Sequence, residues 1–110
     1  MKVFALTVSL MASSVAFGAA IPIRIPSDSN AEYSILEKQG SGSERTITTK
    51  RTGSSGTTYS RRLYNCAQET FKYLGTGESF EAMASASPDP VMSAIVQGSI
   101  SYYVGLEACR

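Results

Sequence analysis

Hydrophobic and polar residues alternate through the middle of the chain, as in strands that bury one face. The alternation runs through AEYSILEK (31–38), ERTITTKRT (44–52) and TTYSRRLYNCA (57–67), and these segments are rich in Thr, Ile and Tyr. Gly/Ser segments at 40–43 and 53–56 separate the three runs. They predict hairpin tips within one sheet and not linkers between domains.

A further alternating run, ETFKYL (69–74), ends at a Gly-Thr-Gly sequence. Periodicity leaves two interpretations open: the run continues the preceding strand through Cys66, or it forms a separate strand after a turn near Ala67. In both cases the pattern predicts an antiparallel meander of three to four strands. Cys66 is therefore expected either in mid-strand or at a turn.

The segment IPIRIPSDSN (21–30) has Ile at alternate positions, with Pro22 and Pro26 beside them. Proline cannot donate a hydrogen bond to a sheet ladder, so it is confined to edges and strand starts. We therefore predict an extended N-terminal arm or edge strand over residues 21–30, followed by a single domain over residues 31–110.

The last third of the chain changes from strand-like to helix-like patterns. ESFEAMASASPDP (78–90) contains helix formers up to Ala86, after which prolines stop a helix. DPVMSAIVQG (89–98) suits either a helix opened by Asp-Pro or a strand. In the final segment, Ser99 is a suitable N-cap for a C-terminal helix that packs on the sheet. The strand-then-helix order predicts an α+β fold.

The first twenty residues match the three parts of a secretory signal peptide. Lys2 supplies the positive charge, an apolar stretch follows from Val3 to Met11, and small residues precede Ile21. We expect cleavage after Ala20. A membrane anchor is the alternative, but Thr and Ser interrupt the apolar stretch, which is short for a bilayer-spanning helix of about 20 residues. The mature chain is expected to be exported to the periplasm or secreted, with no membrane span.

Charged residues are balanced over the chain but unevenly placed. The formal net charge is +1. A basic segment between Glu44 and Arg62 precedes an acidic C-terminal part that starts near Glu69. A uniformly cationic surface, which nucleic-acid binding requires in order to neutralise many phosphates, is therefore not expected.

The chain has two cysteines, Cys66 and Cys109. Exported proteins fold in oxidising compartments, where such a pair forms a stable disulfide. A redox-active thiol is the alternative, but such thiols usually occur as closely spaced pairs or beside a cation. We therefore predict one structural disulfide, Cys66–Cys109.

The sequence offers no recognisable catalytic motif. The chain has no histidine, which removes the usual general base and the usual metal ligand. The cysteines are expected to be oxidised, so they are not available to zinc. No phosphate-binding glycine motif is found. These observations predict a protein that is not an enzyme and needs no cofactor or metal.

The basic strand-loop-strand segment is the candidate interaction surface. Arg and Tyr are enriched at the energetic centres of protein interfaces, and this segment contains four Arg and one Tyr. The alternative is a solvated sheet face whose charged residues keep its edges unpaired. The candidate binding residues are Arg45, Lys50, Arg51, Tyr59, Arg61 and Arg62. Arg61 and Arg62 are neighbours on one strand, so they should lie on opposite faces.

The segments LYNC, FKYLG and QGSISYYVGLEAC, within Arg61 to Cys109, resemble the surface-adhesin protein E family of small exported bacterial proteins. The resemblance implies an antiparallel sheet covered by a C-terminal helix, a strand–helix disulfide and binding of host extracellular proteins. The residues that carry it are Tyr64, Cys66, Phe71, Tyr73, Gly98, Ser99 and Cys109.

Two functional hypotheses follow from the sequence. The first is an exported bacterial envelope protein that binds a protein or another cell-envelope component, as an adhesin-like or accessory module. The alternative is a structural or accessory subunit of an envelope assembly, whose exposed strand edges pair with a neighbour. A small hydrolase or inhibitor comes third.

Overall fold

The computed structural model describes residues 19–110. The predicted signal peptide lies outside the described residues, apart from Ala19 and Ala20. Within the described range, a 3-10 turn spans Pro26–Asp28, and there are two α-helices, α1 (Phe80–Ser85) and α2 (Ile100–Ala108). The strands are β1 (Ile21–Ile23), β2 (Glu32–Ser41), β3 (Glu44–Gly53), β4 (Gly56–Asn65), β5 (Thr70–Gly77) and β6 (Ser93–Ala94).

All strands form one antiparallel sheet of six strands in chain order. The prediction of three to four strands is therefore wrong. The strands beyond the predicted meander, β1 and β6, form the edges of the sheet. The first lies within the arm or edge strand predicted over residues 21–30, and the second lies within the segment 89–98, for which a strand was one of two interpretations. They have only three and two residues, respectively. Their backbone is ordered by pairing with β2 and β5 more than by local preference.

The turns of the two long hairpins, β2–β3 and β3–β4, lie in the Gly/Ser segments at 40–43 and 53–56, as predicted. The β3–β4 hairpin keeps continuous register from Glu44 opposite Asn65 to Gly53 opposite Gly56. Gly42 lies in the β2–β3 turn with a φ of 66°, a left-handed conformation that glycine adopts without steric cost. The tight turns hold neighbouring strands in fixed register, which determines the face on which each side chain lies.

The sheet has two distinct faces, each partly covered by one helix. Helix α2 packs on the face that carries Ile35, Ile47 and Tyr64, here called the α2 face. Helix α1 packs on the opposite face, here called the α1 face. A Cβ added to Gly77 would lie 2.6 Å from the backbone nitrogen of Met83 in α1, so glycine permits this close approach.

The core lies between α2 and the sheet. Val104 and Ala108 of the helix are fully buried with Ile47 and Tyr64 of the sheet. The hydroxyl of Tyr64 donates a 2.7 Å hydrogen bond to the backbone oxygen of Ser101, which satisfies the phenol inside this apolar environment. The helix begins at the predicted N-cap, Ser99, whose side chain accepts a hydrogen bond from the backbone nitrogen of Tyr102.

The predicted disulfide is confirmed. Cys66 and Cys109 are bonded, with their Cα atoms 5.7 Å apart. Cys66 directly follows the last residue of β4 and lies in the turn that leads to β5, so the turn is the correct one of the two interpretations. Its backbone nitrogen donates to the oxygen of Ser43 at 2.7 Å, which fixes the start of this turn.

Within residues 19–110, no helix is both long enough and apolar enough to cross a bilayer.

Candidate functional site

The structure divides the predicted binding residues equally between the two faces of the sheet. Residues directly opposite each other in a ladder share a face, so the register assigns each side chain. Lys50, Tyr59 and Arg61 lie on the α1 face, since Lys50 is opposite Tyr59 and Arg61 is opposite Thr48. The remaining three, Arg45, Arg51 and Arg62, lie on the α2 face. The residues directly opposite them are Tyr64, Thr58 and Ile47, respectively.

On the α1 face, cationic and aromatic side chains are interleaved. The Nζ of Lys50 lies 5.9 Å from the ring centroid of Tyr59, and the Cζ of Arg61 lies 5.6 Å from that of Phe80. The two rings meet edge-to-face, 6.5 Å apart. Cations at these distances are attracted to the negative face of an aromatic ring. We call this set of Lys50, Tyr59, Arg61 and Phe80 the cation–aromatic surface.

The cation–aromatic surface is half-buried, and a hydrogen bond to a buried residue of the sheet orients one of its cations. All its residues are of intermediate exposure, so their stems are packed while part of each side chain meets solvent. The Nε of Arg61 donates to the hydroxyl of Thr48 at 3.1 Å. Thr48 itself is buried, with 1% of its surface exposed. The guanidinium of Arg61 is therefore oriented before any partner arrives.

Phe80 was not among the residues predicted from the sequence. It is the first residue of α1, and Ser79 caps this helix by accepting from the backbone nitrogen of Ala82 at 3.1 Å. A Ser before a run of helix formers is a recognisable N-cap signal, so the start of α1 could have been predicted. The contact with Tyr59 could not, because it depends on how α1 folds back over β4.

The charge of Arg51 is neutralised on the α2 face. Its Nε lies 2.7 Å from an Oδ of Asp28, and the hydroxyl of Tyr33 donates to the same carboxylate at 2.5 Å. The hydrogen bond from Arg51, followed by that from Tyr33, holds the pKa of Asp28 below its usual range. Burial, followed by the hydrogen bond to Asp28, raises the pKa of Tyr33 to about 12. This cluster fixes the N-terminal arm to the sheet.

Arg62 is buried beside α2, with 4% of its surface exposed. Its Nε donates to the hydroxyl of Ser101 at 3.3 Å, and its Nη1 donates to that of Thr49 at 3.1 Å. The Nη2 donates to the hydroxyl of Tyr73 at 3.2 Å, and the Cζ lies 4.7 Å from the ring centroid of Tyr73. The prediction that Arg61 and Arg62 lie on opposite faces is correct, and Arg62 is the inner one.

Arg45 is separate from both groups. Its Nε donates to the backbone oxygen of Gly42 at 2.9 Å, at the β2–β3 turn. This bond is exposed and local, so it stabilises the turn. The strand residues of the cation–aromatic surface lie on the opposite face of the sheet. No hydrogen bond links Arg45 to Arg62 among the bonds of the described residues. The basic segment of the sequence is thus not one surface in the fold.

Comparisons with protein-family models, with curated proteins and with solved structures find no match to this chain. The resemblance to the surface-adhesin protein E family therefore stays a prediction.

Proposed function

We propose that this chain is an exported bacterial envelope protein that binds a macromolecular partner through its cation–aromatic surface. The observation that carries the proposal is the edge-to-face contact of Tyr59 with Phe80, flanked by the cations of Lys50 and Arg61. Arg and Tyr dominate the energetic centres of protein interfaces, since they combine a large apolar area with polar ends. Here they are already ordered, which lowers the entropic cost of association.

The charges on this surface favour a partner with acidic side chains. Among residues 19–110, the two ion pairs are Arg51–Asp28 and Arg110–Glu107, so neither Lys50 nor Arg61 is in an ion pair. Their electrostatic attraction is therefore directed outward, towards carboxylates of a protein that approaches the α1 face. Complementary charge of this kind accelerates encounter and fixes orientation.

The export part of the proposal is supported by the disulfide. Cys66 and Cys109 are the only cysteines of the chain, and both are in the bond. Disulfides of this structural type persist in the periplasm and outside the cell, whereas the cytosol keeps thiols reduced. The bond agrees with the signal-peptide prediction, which was reached from a different part of the sequence.

Reversing both charges of the surface tests the binding function. In the double variant Lys50→Glu/Arg61→Glu, co-purification of the partner from the native envelope fraction should be lost. Titration of the purified partner should then show affinity at least ~30-fold weaker, which corresponds to a hot-spot loss of about 2 kcal/mol. The matched control is Lys38→Glu/Arg45→Glu, which reverses the same number of charges on the α2 face and should bind like the wild type.

Two measurements keep this test interpretable. Far-UV circular dichroism and the mass of the unreduced protein establish that each variant is folded and has its disulfide. Equal affinity of the folded surface variant and the wild type would reject the binding site. Equal loss in both double variants would show that net charge, and not this surface, governs capture.

A second candidate function is supported by the open edge of β2. The strand has ten residues, but β1 pairs with only Tyr33, Ser34 and Ile35. The segment from Glu37 to Ser41 therefore has an edge that β1 does not cover. An unpaired edge can accept a strand from a neighbouring chain, as a subunit of an envelope assembly would require.

Native mass spectrometry of exported protein distinguishes the subunit hypothesis from the binding module. A subunit should be recovered in a stable complex, and hydrogen exchange should show protection of Glu37–Ser41 that is lost when the complex dissociates. A monomer at every concentration, with rapid exchange in this segment, would reject strand pairing and would leave the cation–aromatic surface as the remaining candidate.

A further inference from the structure

A cleft of about 300 Å³ opens on the α2 face, beside the beginning of α2. Ile100, the first residue of the helix, forms part of its wall. The rest of the wall is polar and consists of hydroxyl-bearing side chains from four neighbouring strands together with two guanidiniums. The guanidiniums are those of Arg51, which is paired with Asp28, and Arg62, and the hydroxyls belong to Tyr33, Thr49, Thr58, Ser60, Tyr73 and Thr76.

Arg62 is in no ion pair among residues 19–110, so it brings an uncompensated positive charge to this cleft. The atoms that accept its three hydrogen bonds are hydroxyl oxygens of Ser101, Thr49 and Tyr73, all of them neutral. A guanidinium has five N–H groups, so two remain after these bonds are counted. Burying a cation without an anion is unfavourable, and buried charges in proteins are normally paired.

In the part of the chain that the structure describes, no carboxylate forms an ion pair with Arg62. The neighbouring carboxylate on this face, Asp28, already accepts hydrogen bonds from Arg51 and Tyr33. Helix α2 points its N-terminal end towards Arg62, since Ser101 in its first turn accepts the bond from Nε. The N-terminus of a helix carries partial positive charge. The helix therefore adds to the positive potential around Arg62.

We propose that this cleft binds a small hydroxylated carboxylate, such as a sugar acid. The carboxylate is held by the remaining N–H groups of Arg62, whose planar fork matches the two oxygens of a carboxylate. The hydroxyls of Thr58, Ser60 and Thr76 donate to and accept from the hydroxyls of the ligand. A volume of about 300 Å³ is at the small end of ligand sites, which limits the ligand to a monosaccharide-sized molecule.

This site is independent of the cation–aromatic surface. The two lie on opposite faces of the sheet, because Arg61 and Arg62 are adjacent residues of β4. A ligand in the cleft and a protein on the α1 face do not compete for the same residues. Failure of either proposal leaves the other standing.

Titration with galacturonate tests the proposal in the disulfide-bonded wild-type protein. The amide signals of Thr49, Ser60 and Arg62 should shift saturably in ¹⁵N–¹H NMR spectra, whereas those of the α1 face should not. Galactose, which has the same hydroxyl pattern on the ring without the carboxylate, should bind at least ~10-fold more weakly. Inorganic phosphate is the third probe and should also bind more weakly than galacturonate.

Substitution of Arg62 provides a second test of the proposal. Arg62→Met removes the charge and keeps most of the apolar stem, so the affinity for galacturonate should fall at least ~10-fold. Arg45→Met, on the same face but at the β2–β3 turn, is the matched control and should bind like the wild type. If Arg62→Met does not fold, Thr76→Phe fills the cleft from an exposed position and should abolish binding.

Three results would overturn the proposal. The first is the absence of saturable shifts with galacturonate at millimolar concentrations. The second is equal binding of galactose, which would remove the role of the charge. The third is tighter binding of phosphate than of galacturonate, which would assign the cleft to phosphate esters and not to carboxylates.

Discussion

Asp28 joins the N-terminal arm to the sheet through side chains from two strands. Its carboxylate accepts from Arg51 in β3 and from Tyr33 in β2. Charge-assisted hydrogen bonds of this type are stronger than neutral ones, and both partners are partly shielded from solvent. The cluster therefore couples the position of the arm to the ionisation of one carboxyl group.

The stability of the protein should depend on the ionisation of Asp28 in acid. The pKa of Asp28 is lower in the folded protein than in the unfolded chain, where it is about 3.9. Its contribution to stability is therefore complete above about pH 4 and is lost as pH falls through the folded-state pKa. The stability difference between wild type and Asp28→Asn, measured by urea unfolding, should shrink from about pH 6 to about pH 2.

Tyr33→Phe is the matched variant for this cluster. It removes the second hydrogen bond to Asp28 but keeps the bond from Arg51, which is the larger cause of the lowered pKa. The stability of Tyr33→Phe should therefore fall between about pH 6 and about pH 2 almost as much as that of the wild type. If the difference in the free energy of unfolding between wild type and Asp28→Asn is the same at every pH, the ionisation of Asp28 does not contribute to stability and the prediction is wrong.

At the scale of elements, the contact between α2 and the sheet depends on a glycine. A Cβ added to Gly105 would lie 2.7 Å from Cε1 of Tyr64. Tyr64 has 0% of its surface exposed and donates a hydrogen bond to Ser101. It also stacks on Phe71, with ring centroids 5.6 Å apart. The ring therefore has little freedom to move away from an added methyl group.

Gly105→Ala should destabilise the protein, although alanine is the better helix former. The gain in helix propensity is about 1 kcal/mol, whereas overpacking a core typically costs about 1–3 kcal/mol. We expect a net loss of up to about 2 kcal/mol in the free energy of unfolding, measured by urea denaturation. Leu106→Met, at an exposed position of the same helix, is the control and should change stability by less than about 0.5 kcal/mol. A more stable Gly105→Ala would show that α2 is not tightly packed on Tyr64.

The long strands and α2 could be predicted because their signals are local. Alternation along β3 and β4, the Gly/Ser turns and the Ser99 N-cap all act within a few residues. An arm or edge strand was predicted over residues 21–30, but the extents of the edge strands, Ile21–Ile23 and Ser93–Ala94, could not be predicted, since they depend on pairing with distant partners. The segment 89–98 suited either a helix or a strand, and its only regular structure is the two-residue β6.

The candidate site was predictable in composition but not in arrangement. Alternation correctly assigned Arg61 and Arg62 to opposite faces of β4. It gave no indication that Arg51 pairs with Asp28, because that contact depends on the path of the N-terminal arm. The contact between Tyr59 and Phe80 depends similarly on the fold-back of α1 over the sheet.

At the scale of the whole molecule, the disulfide connects the end of β4 to the end of α2 across a sequence separation of 43 residues. Closing a loop of this length lowers the entropy of the unfolded chain by an amount equivalent to about 4 kcal/mol in the chain-entropy description. A small domain has a total stability of about 5 kcal/mol or somewhat more. The bond between Cys66 and Cys109 is thus a major part of what keeps α2 on the sheet.

The double variant Cys66→Ser/Cys109→Ser should lose about 2–4 kcal/mol of stability against urea, because the unfolded chain regains the freedom that the bond removed. Reduction of the wild type under native conditions should give a similar loss and serves as the control for side-chain substitution. A loss below about 1 kcal/mol would mean that packing alone holds α2 in place.

The division of the sheet into two faces makes the proposed binding function directly measurable. A photoreactive benzoylphenylalanine placed at Tyr59 reports on the α1 face, and the same residue at Tyr102, in α2, reports on the opposite side of the molecule. We expect light-dependent cross-linking of a partner protein in native cells from position 59 alone, and its loss in the Lys50→Glu/Arg61→Glu background. No cross-link from position 59, or cross-linking from position 102 alone, would contradict the assignment of binding to the cation–aromatic surface.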